Sequence, residues 1–340
     1  MFYFLMIITA IVAVINKDNR RYGYLIWGLL FFFSMFRGIY VGRDTLNAMT
    51  ALQEIDFLNM EIKLNHSRSL ELLNNFIYIC IQKGAPSRLI IYFYSIFTFI
   101  PLLLASNRYK INLSILMFFY LTCGPYIYSF NIARQFAALS ILTLGISYIH
   151  EDDVKQSFKF FPLCLLAASI HFSCIIFVVL YFLRYLKINK NVAITVMVVS
   201  LLISLFNLYG LSSLIQMVNI GSYQTSYEDY IYEEETHTFG GVIVNIVQTL
   251  LFSYFVYTCK NDKQIMTLLP VSASLYILSS SLGSEVHRAF FIFMVLIIFM
   301  TSKSFTYYAK DKTIMLAYSV LTIYMFYKSI LDDYYLMFFE

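Results

Sequence analysis

The sequence predicts an all-α fold: a polytopic integral membrane helical bundle of about 11–12 spans. Three observations predict it. Of 340 residues, 60% are hydrophobic and only 13% charged, against about 25% charged in an ordinary soluble chain. Mean hydropathy is +0.70. Apolar runs approaching the ~20 residues needed to cross a hydrocarbon core of about 30 Å recur along the chain, divided by short basic loops. A chain of this composition cannot cover a water-facing surface, which excludes a soluble enzyme, a disordered tail protein and a nucleic-acid binder. Residues 1–340 read as a single transmembrane domain.

The apolar runs lie at 2–15, 22–36, 88–105, 111–129, 131–149, 160–184, 191–207, 241–259, 264–282, 289–301 and 313–329. The first has no basic leader and no small-residue cleavage site, so it reads as a span rather than a signal peptide. Short basic loops set orientation, because Lys and Arg accumulate on the cytoplasmic side. Lys17, Arg20 and Arg21 follow the first run; Arg108 and Lys110 follow the third; Lys155 and Lys159 follow the fifth. Arg184, Lys187 and Lys190 precede the run at 191, Lys260 and Lys263 that at 264, and Lys303, Lys310 and Lys312 the last. These residues are most of the 24 Lys and Arg, and they place both termini outside.

Two long external segments remain. Residues 37–87 form the first external loop, with apolar patches at 70–82 that lie along the interface or dip into the membrane. Residues 208–240 form an acidic external loop containing Glu228, Asp229 and Glu233 to Glu235 and no Lys or Arg. The stretch 160–186 is flanked by basic loops at both ends. As one helix it would reach about 40 Å, enough for one tilted span and short of two. Sidedness therefore favours a hairpin of two half-length helices with Ile170, His171, Phe172 and Ser173 near its tip, the alternative being one misassigned loop. Non-helical backbone at that depth requires protein or a wet cavity around it.

Away from the cytoplasmic loops, Arg37, Arg134 and Arg288 stand at external span ends, where positive charge is disfavoured. A charge in a span costs about 2.5–3.5 kcal/mol at mid-membrane on insertion scales. All three are Arg, whose planar fork grips two phosphate oxygens at once, and Arg43 lies close by in sequence. The cluster points to a phosphorylated, lipid-linked ligand; snorkelling at the interface is the plainer alternative.

His171 lies in the apolar stretch AASIHFSCIIF. It reads either as a satisfied structural residue or as an imidazole able to take a proton from a sugar hydroxyl. Asp44, in VGRDTLNAM, is a candidate base or hydroxyl binder, or else a helix cap or a partner of Arg43. Glu285 and Arg288 sit at i, i+3 helical spacing and pair most simply with each other. The five cysteines form no CxxC motif and read as small apolar fillers. No HExxH, nucleophile elbow, Walker A or GxGxxG motif occurs, no metal-ligand spacing, and no internal repeat of the transporter kind. No cofactor and no metal is implied.

The order RGIYVGRDTLNAM, then NIARQFAALSILTLGISYIHEDD, then a basic loop and LLAASIHFSCIIF resembles the EpsG/Wzy family of bacterial polysaccharide polymerases. That family's arginine and G-x-D element map to Arg37, Gly42 and Asp44. Its N-x-x-R-Q segment maps to Asn131, Arg134 and Gln135, and its H-x-S element to His171 and Ser173. Arg288 is a weaker echo of a late arginine. The likeness covers roughly residues 20–185, and this chain has Asn47 and Ala48 where a Tyr is common.

The resemblance implies a GT-C-like, multi-pass glycosyltransferase of the bacterial inner membrane, with its active site facing outward. It implies donor and acceptor glycans linked to undecaprenyl pyrophosphate, membrane lipid as surroundings, and a chain-length regulator as a further protein partner. Arg37, Arg43, Arg134 and Arg288 would grip pyrophosphate, Asp44 or His171 would take the acceptor proton, and Asn131, Gln135, Ser173 and Glu285 would support them. Two rivals use similar residues: a flippase for the same lipid-linked glycan, and a membrane polysaccharide O-acyltransferase.

Overall fold

The computed structural model describes residues 11, 15, 20–38, 41–42, 71–149, 154–206, 239–259, 262–279, 290–308 and 312–331. Among them there are helices and no strand. They divide into two compact units, one of residues 1–184 with 319–340 and one of 185–318.

The first unit opens with α1 (Arg20–Met35), α2 (Leu72–Gln82) and α3 (Leu89–Arg108). It continues through α4 (Leu113–Thr122), α5 (Pro125–Asn131), α6 (Ala133–Ile146), the single turn α7 (Val154–Ser157) and α8 (Phe160–Ile170). In α1 the buried residues are Gly23, Ile26, Leu30 and Ser34, one stripe at helical spacing. The residues off that stripe are equally apolar: Leu25, Leu29, Phe32 and Phe36 are exposed. An apolar outer face is what a lipid-facing helix requires and a soluble one avoids.

Helix α6 packs against both α3 and α8, and α1 against α3 and α4. Buried polar groups tie these helices together: Ser34 Oγ and Ser95 Oγ are 2.8 Å apart, Trp27 Nε1 donates to the Phe99 carbonyl at 3.0 Å, and Tyr126 OH donates to that of Leu30 at 3.2 Å. Where lipid supplies no hydrophobic drive between helices, such bonds and close packing hold a bundle. Gly145 provides the close packing between α6 and α8, since a Cβ there would stand 3.3 Å from both Leu163 Cβ and Phe160 Cδ2.

Only α3, at 20 residues, is by itself long and apolar enough to cross a membrane among the described residues. The run at 111–129, predicted as one span, is instead a broken pair: α4 and α5 meet at 58°. Gly124 takes φ of 97° at the break, and Pro125 starts the next helix, where its missing N–H is harmless. A second break at Ile132 (φ −127°, ψ 51°) separates α5 from α6.

After α8 the backbone opens at His171 (φ −142°, ψ 104°) and continues as a 14-residue 3-10 helix, Phe172–Tyr185. The chain turns back there, for Tyr181 stacks within 6.0 Å of Phe160 and 4.7 Å of Phe161. Ser157 Oγ lies 3.1 Å from Tyr181 OH, and Arg184 donates to both. The second arm is thus a 3-10 helix, where the sequence pattern predicted an α-helix. With three residues per turn its side chains eclipse in rows: Cys174, Phe177 and Leu180 are buried, while Ile176, Val179, Phe182 and Tyr185 are exposed.

The second unit holds α9 (Lys190–Phe206), α10 (Phe239–Thr258), α11 (Lys263–Ser279), α12 (Phe291–Tyr307) and the first part of α13 (Lys312–Leu331). Helix α11 packs against α9, α10 and α12. Helix α12 is buried from Phe291 to Phe305 and apolar all round as far as Met300, beyond which Thr301, Ser302, Lys303 and Ser304 are polar. Lys303 on α12 ends on Asp262 (2.8 Å) and Gln264 (2.6 Å). Asp262 also accepts from Tyr308 OH at 3.1 Å and caps α11 through the Gln264 and Ile265 amides. The predicted spans from 191 onward therefore correspond to helices, with ends shifted by a few residues.

Candidate functional site

Within the first unit, three separate segments bring polar side chains to one carboxylate. Glu71 precedes α2 and has a side chain only 5% exposed. Its Oε2 accepts from Arg134 Nη1 at 2.9 Å and from Asn74 Nδ2 at 3.4 Å. Its Oε1 accepts from the Phe172 amide at 3.1 Å, and His171 Nδ1 stands 3.4 Å from the same oxygen. The His171 approach is one of proximity rather than an aligned hydrogen bond. Asn74 is itself fixed by Tyr94 of α3, whose OH donates to Asn74 Oδ1 at 2.6 Å.

Each element presents its residue for a local reason. Arg134 is the second residue of α6, placed there by the break at Ile132. The amino end of a helix is electropositive, so its dipole adds to the Arg charge at that spot. His171 is the extended residue between α8 and the 3-10 helix, and this opening frees the Phe172 amide to reach Glu71. Asn74 lies one turn along α2 from Glu71, the i, i+3 relation that lets the two side chains meet.

Burial by itself would raise the Glu71 carboxyl. The contacts with His171, with Arg134 and with the Phe172 N–H outweigh it, and the net pKa falls below the ordinary glutamate value. Glu71 is therefore a buried anion paired with the Arg134 guanidinium. Arg134 and His171 are more open, with side chains 26% and 21% exposed.

Arg37 lies just beyond α1 and is buried. Its guanidinium sits 4.7 Å over the Phe130 ring and donates to the Ser34 carbonyl at 3.1 Å and to Ser34 Oγ at 3.2 Å. Burial lowers its pKa to about 10, so it stays charged at neutral pH. Gly42 meets the same residue: its φ is 97°, and a Cβ there would run into the Phe130 carbonyl. Arg37 and Gly42 thereby both meet Phe130 of α5, in the stretch that leads into Arg134.

Of the predicted site residues, the structure joins Arg134 and His171. Asn131 closes α5 and Gln135 is in the first turn of α6; both are half-buried and flank Arg134. Ser173 is exposed in the first turn of the 3-10 helix. Arg43, Asp44, Glu285 and Arg288 lie outside the described residues, as does most of the acidic loop 208–240. The residue sequence reasoning missed is Glu71. Its signal was present: a single carboxylate abutting the apolar run LLNNFIYICI, one turn from an Asn. Among the described residues no group of three or more His, Cys, Asp and Glu could hold a metal ion.

No curated protein and no solved structure matches the chain. The sequence model of the EpsG family does, over residues 20–335. That range spans α1 to α13 and contains the whole Glu71 cluster together with the motifs around Arg37, Arg134 and His171. The chain belongs to the EpsG family, whose members are membrane proteins associated with polysaccharide polymerisation by glycosyl transfer.

Proposed function

We propose that this protein is a repeat-unit polymerase, joining oligosaccharides carried on undecaprenyl pyrophosphate at the outer face of the bacterial inner membrane. The observation that carries the reading is the meeting of Arg134 and His171 on one buried carboxylate, because the two are the anion grip and the proton acceptor that such a transfer needs. In the reaction an acceptor sugar hydroxyl attacks the donor's anomeric carbon. The bond from that carbon to the phosphate oxygen breaks, and polyprenyl pyrophosphate departs with the electron pair. His171 Nε2 takes the hydroxyl proton as the new glycosidic bond forms. Arg134, helped by Arg37 or Arg43, offsets the charge that gathers on the leaving group. Asp44 is the alternative proton acceptor.

The membrane reading supports this assignment. The basic loops put the segments bearing Arg37, Glu71 and Arg134 on the outer side, and apolar exposed rows such as Ile176, Val179 and Phe182 suit contact with lipid. We read the chain as a multi-pass, GT-C-like bundle of about 11–12 spans, with shorter and broken helices among them. A chain-length regulator is the expected protein partner.

Purified protein in detergent, supplied with a synthetic undecaprenyl-pyrophosphate repeat unit, should give a ladder of integral repeats on a gel. Arg134→Ala and His171→Ala should each lose ~100-fold or more in rate, the scale of removing one charge-stabilising or proton-transfer group. Transport of the lipid-linked glycan across vesicles without any ladder would replace the polymerase by a flippase. A ladder that survives Arg134→Ala would keep the activity and move the site.

A further inference from the structure

We propose that Glu71 is an internal competitor for the donor's pyrophosphate: it holds Arg134 in the empty site, yields it when pyrophosphate arrives, and then serves His171. The inference rests on the polymerase reading and names how that site is regulated.

The two carboxylate oxygens divide the work. Oε2 takes Arg134 at 2.9 Å, and Oε1 faces His171 and the Phe172 amide. At 5% side-chain exposure this charge has little water to fall back on, so it needs a positive partner at every stage. Arg134, at 26%, is the more reachable end of the pair. A pyrophosphate carries more charge than a carboxylate and matches the fork through several oxygens, so it can take Arg134 over.

Once Arg134 turns to the donor, His171 is the group near Glu71 able to carry the compensating positive charge. An imidazole beside an otherwise uncompensated buried carboxylate gains from accepting a proton, and the proton it accepts is the acceptor hydroxyl's. Donor binding therefore readies the base, and an empty site keeps Arg134 occupied and His171 idle. The step stays balanced. The hydroxyl proton goes to His171 Nε2, the hydroxyl oxygen bonds to the anomeric carbon, and the carbon–oxygen pair leaves with the pyrophosphate. The proton returns to bulk water when the product departs.

The test measures binding of bare undecaprenyl pyrophosphate to the full-length protein in detergent by native mass spectrometry. Glu71→Gln keeps the shape and removes the competing charge, so it should bind the lipid roughly tenfold more tightly than wild type. Glu71→Asp keeps the charge and should bind like wild type, and Arg134→Ala should bind more weakly. With a repeat-unit substrate, Glu71→Gln should lower KM for the donor and kcat together, a split that a merely structural role would not produce. Unchanged or weaker lipid binding by Glu71→Gln, with Glu71→Asp normal, overturns the competitor role and leaves the polymerase standing. Unchanged binding by Arg134→Ala also overturns the competitor role, because the pyrophosphate site would then lie elsewhere, while the ladder assay still decides the polymerase reading. If Glu71→Gln fails to fold, Glu71→Ala decides as the second variant without the competing charge: it too should bind the lipid more tightly than wild type, and unchanged or weaker binding sinks the proposal.

Discussion

Glu71 and Arg134 are 63 positions apart in the chain and 2.9 Å apart in space. The pair ties the start of α2 to the amino end of α6, and Phe172 and His171 bring the α8 turn to the same carboxylate. Three segments that share no local sequence are thus held by one anion, which predicts coupled stability. In a double-mutant cycle of Glu71→Gln and Arg134→Gln, the pair should show a coupling of about 1 kcal/mol, modest because Arg134 is partly open to solvent. Thermal unfolding of the four detergent-solubilised proteins measures it, and strictly additive losses would show that the contact carries no energy.

Acid should erase that contribution. The Glu71 pKa is lowered in the folded protein, so its stabilisation is complete above the ordinary glutamate pKa of about 4.3 and is lost as pH falls through the lower folded value. The difference in melting temperature between wild type and Glu71→Gln should shrink as pH falls below about 5. A gap that widened on acidification would mean the folded carboxyl titrates high, contrary to the contacts seen.

Gly42 predicts a steric effect. Its left-handed backbone and its contact with the Phe130 carbonyl leave no room for a methyl group. Gly42→Ala should therefore cost about 1–3 kcal/mol, through backbone strain and a displaced α5. Reduced melting temperature together with reduced polymer yield would check it, whereas a Gly38→Ala control, whose Cβ would meet only Val41 Cγ2 at an ordinary 3.6 Å, should be close to neutral.

In the second unit, Asp262 serves two masters. It caps α11 and it neutralises Lys303, whose side chain is 11% exposed. Asp262→Asn should keep the cap and lose the charge; Asp262→Ala should lose both and cost roughly 3–5 kcal/mol, mostly from a stranded buried ammonium. Lys303→Met in the Asp262→Asn background should recover much of the loss, because the uncompensated charge is then gone. Melting temperatures of the three variants give the order, and equal losses for Asn and Ala would assign everything to charge and nothing to the cap.

Much of the architecture was legible because apolar length and basic loops are properties of composition. The helices at 20–35, 89–108 and 190–206 begin and end near the runs that announce them. The break between α4 and α5 was written in Gly124 and Pro125, yet the apolar residues continue through it, and hydropathy alone cannot see a bend. The 3-10 arm was less visible still, since Cys174, Phe177 and Leu180 sit at a spacing of three that fits an α-helical stripe nearly as well. At the site, Arg134 and His171 stood out as polar groups in apolar surroundings. Glu71 did not, because it stood in a segment read as a loop, where a carboxylate is unremarkable until a fold closes over it.

The eclipsed rows of the 3-10 arm carry a consequence for how its length can vary. A residue added to an α-helix turns everything beyond it by about 100°, and three added residues still leave the far end about 60° out of line. In a 3-10 helix three residues complete one turn, so an insertion or deletion of three between Cys174 and Tyr185 would move the end by about 6 Å along the axis while every side chain keeps its face. The arm can be lengthened or shortened in steps of three to suit a thicker or thinner bilayer, with the turn at His171 and its hold on Glu71 undisturbed.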